Sequence, residues 1–171
     1  MRYSKILDET IKNIVPASRE RMAEKERELN SLLKTPKGLG KLEDLAIQLE
    51  GIKKDYKPEK KIVVVMAADN GVEREKVSKS KRIITQYVVE AMLQGKSSIN
   101  ALGKTFGADV EVVDLGIDET ADPEGKISLE GIIKRKLMET GTHNIAKGPA
   151  MAYDTAVKAI ETGIEIGRAH V

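Results

Sequence analysis

The sequence contains no cysteine and no tryptophan, and among its 171 residues there are one Phe, four Tyr and two His. Without cysteine there is no disulfide framework, no thiolate nucleophile and no thiolate metal site. Two histidines, His143 and His170, are too few for a multi-histidine metal centre. The scarcity of aromatics removes the stacking platforms of a nucleic-acid binder. The balance of 29 basic against 27 acidic residues, a net charge of +2, removes its basic excess. No apolar run approaches the roughly 18 residues of a membrane span. The N-terminus turns polar again after Ile6 and Leu7, so it lacks the apolar stretch of a secretory signal. The expectation from these absences is a cytoplasmic globular protein that binds neither nucleic acid nor membrane. Its core must be aliphatic, and its length suits one domain burying roughly 70% of the surface of the unfolded chain.

What is present begins with helices. Ile6, Leu7, Ile11 and Ile14 space like one helix face, and Pro16 breaks the run. Ser18 is placed to cap a second helix over residues 19–33, whose closely spaced opposite charges read as a solvated surface. After a turn at Pro36 and Gly38, Leu42, Leu45, Ala46, Leu49 and Ile52 predict a third, amphipathic helix that fades near Gly51. A polar connector containing Pro58 leads to residues 62–67, Ile-Val-Val-Val-Met-Ala, a β-branched run that fits a strand buried on both faces. Asp69-Asn70-Gly71 marks the turn after it. A long helix is expected over residues 84–102 and a second strand over 110–115. Residues 116–131 read as loop, 132–138 as strand or short helix, and Pro149 as the first residue of a last helix over 150–163. Strand, helix, strand is a crossover unit. The fold class is therefore α/β, a Rossmann-like parallel sheet with flanking helices, preceded by an N-terminal helical segment. The expected divisions are helices over 1–57, an α/β domain over 58–165, and a tail over 166–171.

In open α/β sheets, ligands bind beyond the carboxyl ends of the strands. That rule singles out a crevice near residues 69–80 and 114–118. Asp69 and Asp114 sit there as a base, a metal ligand or a ribose partner; the commoner role of such a carboxylate is to cap the next turn. Ser78-Lys79-Ser80-Lys81-Arg82, before the long helix, offers hydroxyls, amides and positive charge to an anion, or is a solvated loop with a serine cap. No Walker-type loop or Gly-x-Gly-x-x-Gly fingerprint is present. Gly95-Lys96-Ser97-Ser98 interrupts the helix pattern, with close packing as the default explanation. His143 reads as a surface or turn residue and Met151 as core.

Four segments in register carry a resemblance. Leu33-Lys34-Thr35-Pro36-Lys37-Gly38-Leu39-Gly40-Lys41-Leu42-Glu43 resembles the Pro/Gly-rich segment of nicotinate-nucleotide–dimethylbenzimidazole phosphoribosyltransferases. Ala67-Ala68-Asp69-Asn70-Gly71-Val72, followed by Val77-Ser78 and Thr85, is similar to that family's Ala-Asp-(His or Asn)-Gly-Val…Val-Ser…Val-Thr pattern. Residues 112–117 and 141–151 continue it, so the likeness covers about residues 33–164. The resemblance implies attack by a ring nitrogen of dimethylbenzimidazole on the anomeric carbon of nicotinate mononucleotide. Nicotinate leaves and α-ribazole phosphate forms with inverted configuration, in cobalamin lower-ligand synthesis. It implies no metal and no cofactor, because the pyridinium departs as a neutral ring nitrogen. It implies small-molecule partners and a full-length homodimer.

By the same resemblance the base is held by Ser80, Ile84 and Val88, with Asp69 and Asn70 at the turn. Three departures bear on base specificity: Val88 stands where the family often has Gln, Lys81 where it often has Pro, and the Pro-x-Gly-Ser-Leu-Gly segment is one residue shorter. The family's Gly-Glu-x-Gly-Ile-Gly-Asn-Thr motif and its general-base Glu lie downstream of the last helix, so no catalytic residue is assigned. The expectation is an inactive fragment. The alternatives are a non-catalytic azole- or nucleotide-binding module, or an aggregating fragment with exposed strand edges. The final Ile166-Gly167-Arg168-Ala169-His170-Val171 is the translation of a common sequencing adapter, ATCGGAAGAGCACACGTC. The expectation is that this tail is not native and that His170 has no biological role.

Overall fold

The computed structural model describes residues 4–57 and 59–169. Two compact units emerge: Glu9–Glu59, and the segment from Lys60 onward together with the first residues up to Asp8. Their border falls inside the first helix, α1 (Lys5–Lys12).

In Glu9–Glu59 two helices pair, α2 (Arg19–Ser31) and α3 (Lys41–Ile52). Ser18 caps α2 as its position suggests, its Oγ accepting the Arg21 amide at 3.3 Å. The Gly51 carbonyl accepts from the Ser18 amide and from the Arg21 guanidinium, each at 2.8 Å. Gly51 has no side chain because Met22 and Ala17 occupy that space. Glu43 is buried, accepting from Lys34 at 2.9 Å and from the Leu39 amide at 3.1 Å.

The second unit is an α/β sheet. Strands β1 (Lys61–Ala68) and β2 (Ala108–Gly116) pair in parallel, with Val65 opposite Val112, and a bulge falls between Ala67 and Ala68. A two-residue β3 (Ile133–Lys134) pairs parallel to the other side of β2, resolving the strand-or-helix ambiguity of residues 132–138. The order is β1-β2-β3, so among the described residues β1 is an edge. Between β1 and β2 lie α4 (Ile83–Leu93) and α5 (Ser98–Phe106), and α6 (Tyr153–Ala169) closes the described chain. Val89 of α4 packs with Ala67, Val112 and Ile117, and Val65, Met92, Leu93, Leu129 and Ile132 surround that core. The parallel α/β architecture agrees with the sequence reading.

Two expected helices are corrected. The single helix over 84–102 is two, because Gly95 turns with φ +71° and Ser97 and Asn100 form a reciprocal capping box that starts α5. Nothing lies within 4 Å of where a Gly95 side chain would begin, so the glycine serves the turn and not close packing. The last helix starts at Tyr153, not at Pro149. The Ala150 carbonyl accepts the His143 amide at 2.7 Å, which ties that stretch to the preceding loop. Helix α6 continues through Ile166, a buried residue; His170 and Val171 lie outside the described residues, as does Pro58.

Candidate functional site

The turn after β1 is built around Asp69, which is buried. Its Oδ1 accepts from the Thr85 hydroxyl at 2.7 Å, and its Oδ2 from the Asp118 amide at 2.8 Å. Its own amide donates to the Gly116 carbonyl at 3.0 Å, and its carbonyl accepts the Thr142 amide at 2.9 Å. One residue thus joins, through its carboxylate and its backbone, the ends of β1 and β2, the first turn of α4 and the loop that carries Thr142. Two glycines permit this convergence. A Cβ on Gly141, whose φ is +81°, would strike the Asp69 backbone, and one on Gly71 would strike the backbone of residues 142–144. The Gly71 amide instead donates to Thr142 Oγ1 at 3.1 Å.

Asp114 takes the commoner of its two roles. Its Oδ1 accepts the amides of Gly116 and Ile117, each at 2.8 Å, which caps the turn after β2. The anion-binding reading of residues 78–82 is also altered. Ser78 Oγ accepts the Ser80 amide at 3.1 Å, a local turn, and Arg82 at the start of α4 has no capping side chain. The Arg82 guanidinium points inward, donating to Asp118 Oδ2 at 2.8 Å and to the Thr140 carbonyl at 2.9 Å. Its Nε lies 3.5 Å from Glu73. Burial pushes the Asp118 carboxyl up, but hydrogen bonds from Thr120 and Arg82 outweigh it and hold it below the usual carboxylate range. Gln86, buried one turn further along α4, donates to the Asp118 carbonyl at 2.9 Å.

Beside this network opens a cavity of about 550 Å³, within the usual range for small-molecule sites. Asp69, Asn70, Ser80, Ile84 and Val88, the five residues singled out from sequence, all line it. Val65, Ala67 and Met92 add aliphatic wall. Ile84 and Val88 are four residues apart on one helix face, and both are exposed to the opening, as are Ser80 and Asn70. The chemistry this offers is a greasy slot for a flat ring, with hydroxyl, amide and lysine groups near its mouth. Residues 114–118, the other half of the expected crevice, lie beneath as support and do not line the cavity. His143 is exposed and Met151 is half-buried. Among the described residues no three His, Asp or Glu side chains are placed to share a metal ion.

Comparison with known proteins places the chain. A family described as phosphoribosyltransferase matches residues 14–171. The chain belongs to that family. The nicotinate-nucleotide–dimethylbenzimidazole phosphoribosyltransferase of Acetivibrio thermocellus is 43% identical over 163 residues, which cover 94% of this chain and 44% of that protein. The enzyme of the same name from Alkaliphilus metalliredigens is 39% identical over 167 residues, 96% of this chain and 46% of its own. The solved structure of the Thermus thermophilus enzyme superposes with a TM-score of 0.75 at 32% identity, over 90% of this chain and 45% of that one. The chain thus spans less than half the length of the phosphoribosyltransferases it matches. Within its described residues no helix is long and apolar enough to cross a membrane.

The sequence reading missed Gln86, and it placed Arg82 in an anion-binding loop and Asp118 in the crevice without pairing them. The signal was there for Arg82 and Gln86. Arg82, Thr85, Gln86 and Val89 fall on one face of α4, and three polar residues aligned with a buried valine on an otherwise apolar helix mark a polar contact inside the fold.

Proposed function

We propose that the chain supplies the base-binding part of a cytoplasmic nicotinate-nucleotide–dimethylbenzimidazole phosphoribosyltransferase. The observation that carries this is the convergence of Ser80, Ile84, Val88, Asp69 and Asn70 on one cavity beyond the carboxyl end of β1. A benzimidazole ring lies flat against Ile84 and Val88, with Ser80 and Asn70 at its polar edge. Asp69, its oxygens engaged by Thr85 and Asp118, holds the wall in place. The ring nitrogen then attacks the anomeric carbon of nicotinate mononucleotide. The C–N bond to nicotinate breaks, and its electron pair stays on the departing ring nitrogen, giving nicotinate and α-ribazole phosphate. The azole proton needs a base that no motif in this chain supplies, so the chain alone is expected to bind the azole and not turn it over. The full-length form is expected to be a homodimer, and residues 166–171 a non-native tail.

Calorimetry with 5,6-dimethylbenzimidazole, paired with an assay for α-ribazole phosphate, tests the reading. Binding without product is expected. Absence of binding would overturn the base site, and product from this chain alone would overturn the missing base. Sequencing the source gene across codons 160–175 tests the tail. A frame that departs from the adapter after Glu165 and runs on into a Gly-Glu-x-Gly-Ile-Gly-Asn-Thr segment is the expected result.

A further inference from the structure

Helix α4 presents two adjacent faces with different tasks. Ile84, Val88 and Met92, four residues apart, form the cavity wall. Arg82, Thr85, Gln86 and Val89 form the adjacent face toward the strand ends, and Arg82, Thr85 and Val89 also border the cavity. Thr85 reaches Asp69 and Gln86 reaches the Asp118 carbonyl, so each makes a single tie to one neighbouring loop. Arg82 differs: its guanidinium meets three segments at once, Glu73 in the 3-10 turn Gly71–Glu75, Asp118 after β2, and Thr140 beside Gly141. Only 12% of its side chain is exposed. It is also the residue at which the loop carrying Ser80 becomes helix.

A planar fork held at three points fixes direction as well as distance, which a single ammonium cannot do. Rotating α4 about its axis would break the ties of Arg82 and Gln86 to Asp118 and of Thr85 to Asp69 all at once. The same rotation would carry Ile84 and Val88 away from the cavity.

We propose that Arg82 is a positioning residue for the azole site, setting through α4 and the Ser80 loop where the Ser80–Ile84–Val88 wall stands. This rests on the reading of the cavity as the base site.

The test is the affinity of this chain for 5,6-dimethylbenzimidazole, measured by calorimetry for the wild type, Arg82→Met, Arg82→Lys, Asp118→Asn and Ser97→Ala, each with its thermal midpoint. Arg82→Met is expected to weaken binding about tenfold or more. Arg82→Lys should restore part of that, because one ammonium can serve Asp118 and Thr140, as Arg82 Nη1 alone does, but does not fork to Glu73 as well. Asp118→Asn, which leaves the arginine in place, should weaken binding in the same direction, and this variant decides the matter if Arg82→Met fails to fold. Ser97→Ala removes the cap of α5, whose serine does not line the cavity, and should lower the midpoint while leaving affinity unchanged. Loss of affinity in Ser97→Ala as large as in Arg82→Met would reduce the role of Arg82 to general stability and overturn the proposal. So would Arg82→Met and Asp118→Asn binding within twofold of the wild type. A wild-type chain that does not bind the azole would instead bring down the base-site reading and this inference with it, an outcome separate from the other two.

Discussion

Both units leave apolar side chains exposed, but they differ in what they bury. From Lys60 onward, buried valines and Ile117 close a core, and each of the buried acids Asp69, Asp114 and Asp118 finds hydrogen-bond partners within the same unit. In Glu9–Glu59 the buried acid Glu43 is likewise satisfied, yet Leu42, Leu45, Leu49 and Ile52 of α3 stand on one helical stripe and are exposed. Both helices α3 and α4 are amphipathic by sequence. The contrast teaches that periodicity records a face meant to be covered, and that whether the cover lies in the same 171 residues is a separate fact. Polar networks behave otherwise: a buried carboxylate needs its donors at once, so each network here is self-contained.

The sharpest way to break the contrast is at the glycines. Gly141→Val puts a β-branched side chain at φ +81° and drives its Cβ into the Asp69 backbone, which cannot give way. Strain and overpacking together should cost about 4 kcal/mol or more, enough to unfold the α/β unit. Gly51→Ala meets mainly the Met22 side chain, which is flexible and moves, so a loss of about 1 kcal/mol or less is expected. Urea denaturation followed by hydrogen exchange in each segment separates the two. Equal losses would mean that the backbone convergence at Asp69 is softer than its geometry says.

A gentler version uses the apolar residues. Ile117 is fully buried, and Ile117→Ala should destabilise the α/β unit by about 2–4 kcal/mol through lost transfer energy and the cavity left behind. Leu45→Ala on the exposed stripe of α3 should change stability by no more than about 0.5 kcal/mol. A large effect of Leu45→Ala would show that the stripe is covered in solution, and a dependence of that effect on protein concentration would point to a second copy as the cover.

These same residues show which features a linear sequence announces. β1 is legible as a strand from its β-branched run, though Val64 and Met66 are exposed where burial on both faces is expected. β2 is legible from its Val-rich stretch after a helix, and Ser18 because a serine before a polar-charged run caps the helix it precedes. Ile84 and Val88 are legible as residues of one helix face through their spacing, and that face lines the cavity. The break between α4 and α5 is half legible: Gly95-Lys96-Ser97-Ser98 interrupts the pattern, but only the backbone reversal at Gly95 and the Ser97–Asn100 box show that it ends one helix and starts another. Pro149 suggests a helix start, but the pairing of His143 with Ala150 across the loop holds that stretch out of helix. Arg82 is only partly legible: its helical phase marks a polar contact inside the fold, but two of its partners lie 36 and 58 residues away, and nothing in a linear string announces which carboxylate will stand opposite a given arginine.

The smallest expected effect is one of pH, and it acts on both units with one sign. Hydrogen bonds from Lys34 and the Leu39 amide hold Glu43 below its ordinary value, and the donors on Asp118 outweigh its burial to do the same. A carboxyl whose folded value is lowered binds fewer protons folded than unfolded near its ordinary range. Its stabilising contribution is therefore complete above about pH 4–4.5, the unfolded value, and disappears as pH falls through the lower folded one. Urea midpoints should accordingly fall between about pH 4.5 and pH 3. Glu43→Gln should flatten that fall for exchange-protected amides of Glu9–Glu59 alone, and Asp118→Asn for those of the α/β unit alone. If either substitution flattened the acid limb of both units, the two networks would not be self-contained, and the contrast between the units would reduce to their apolar surfaces.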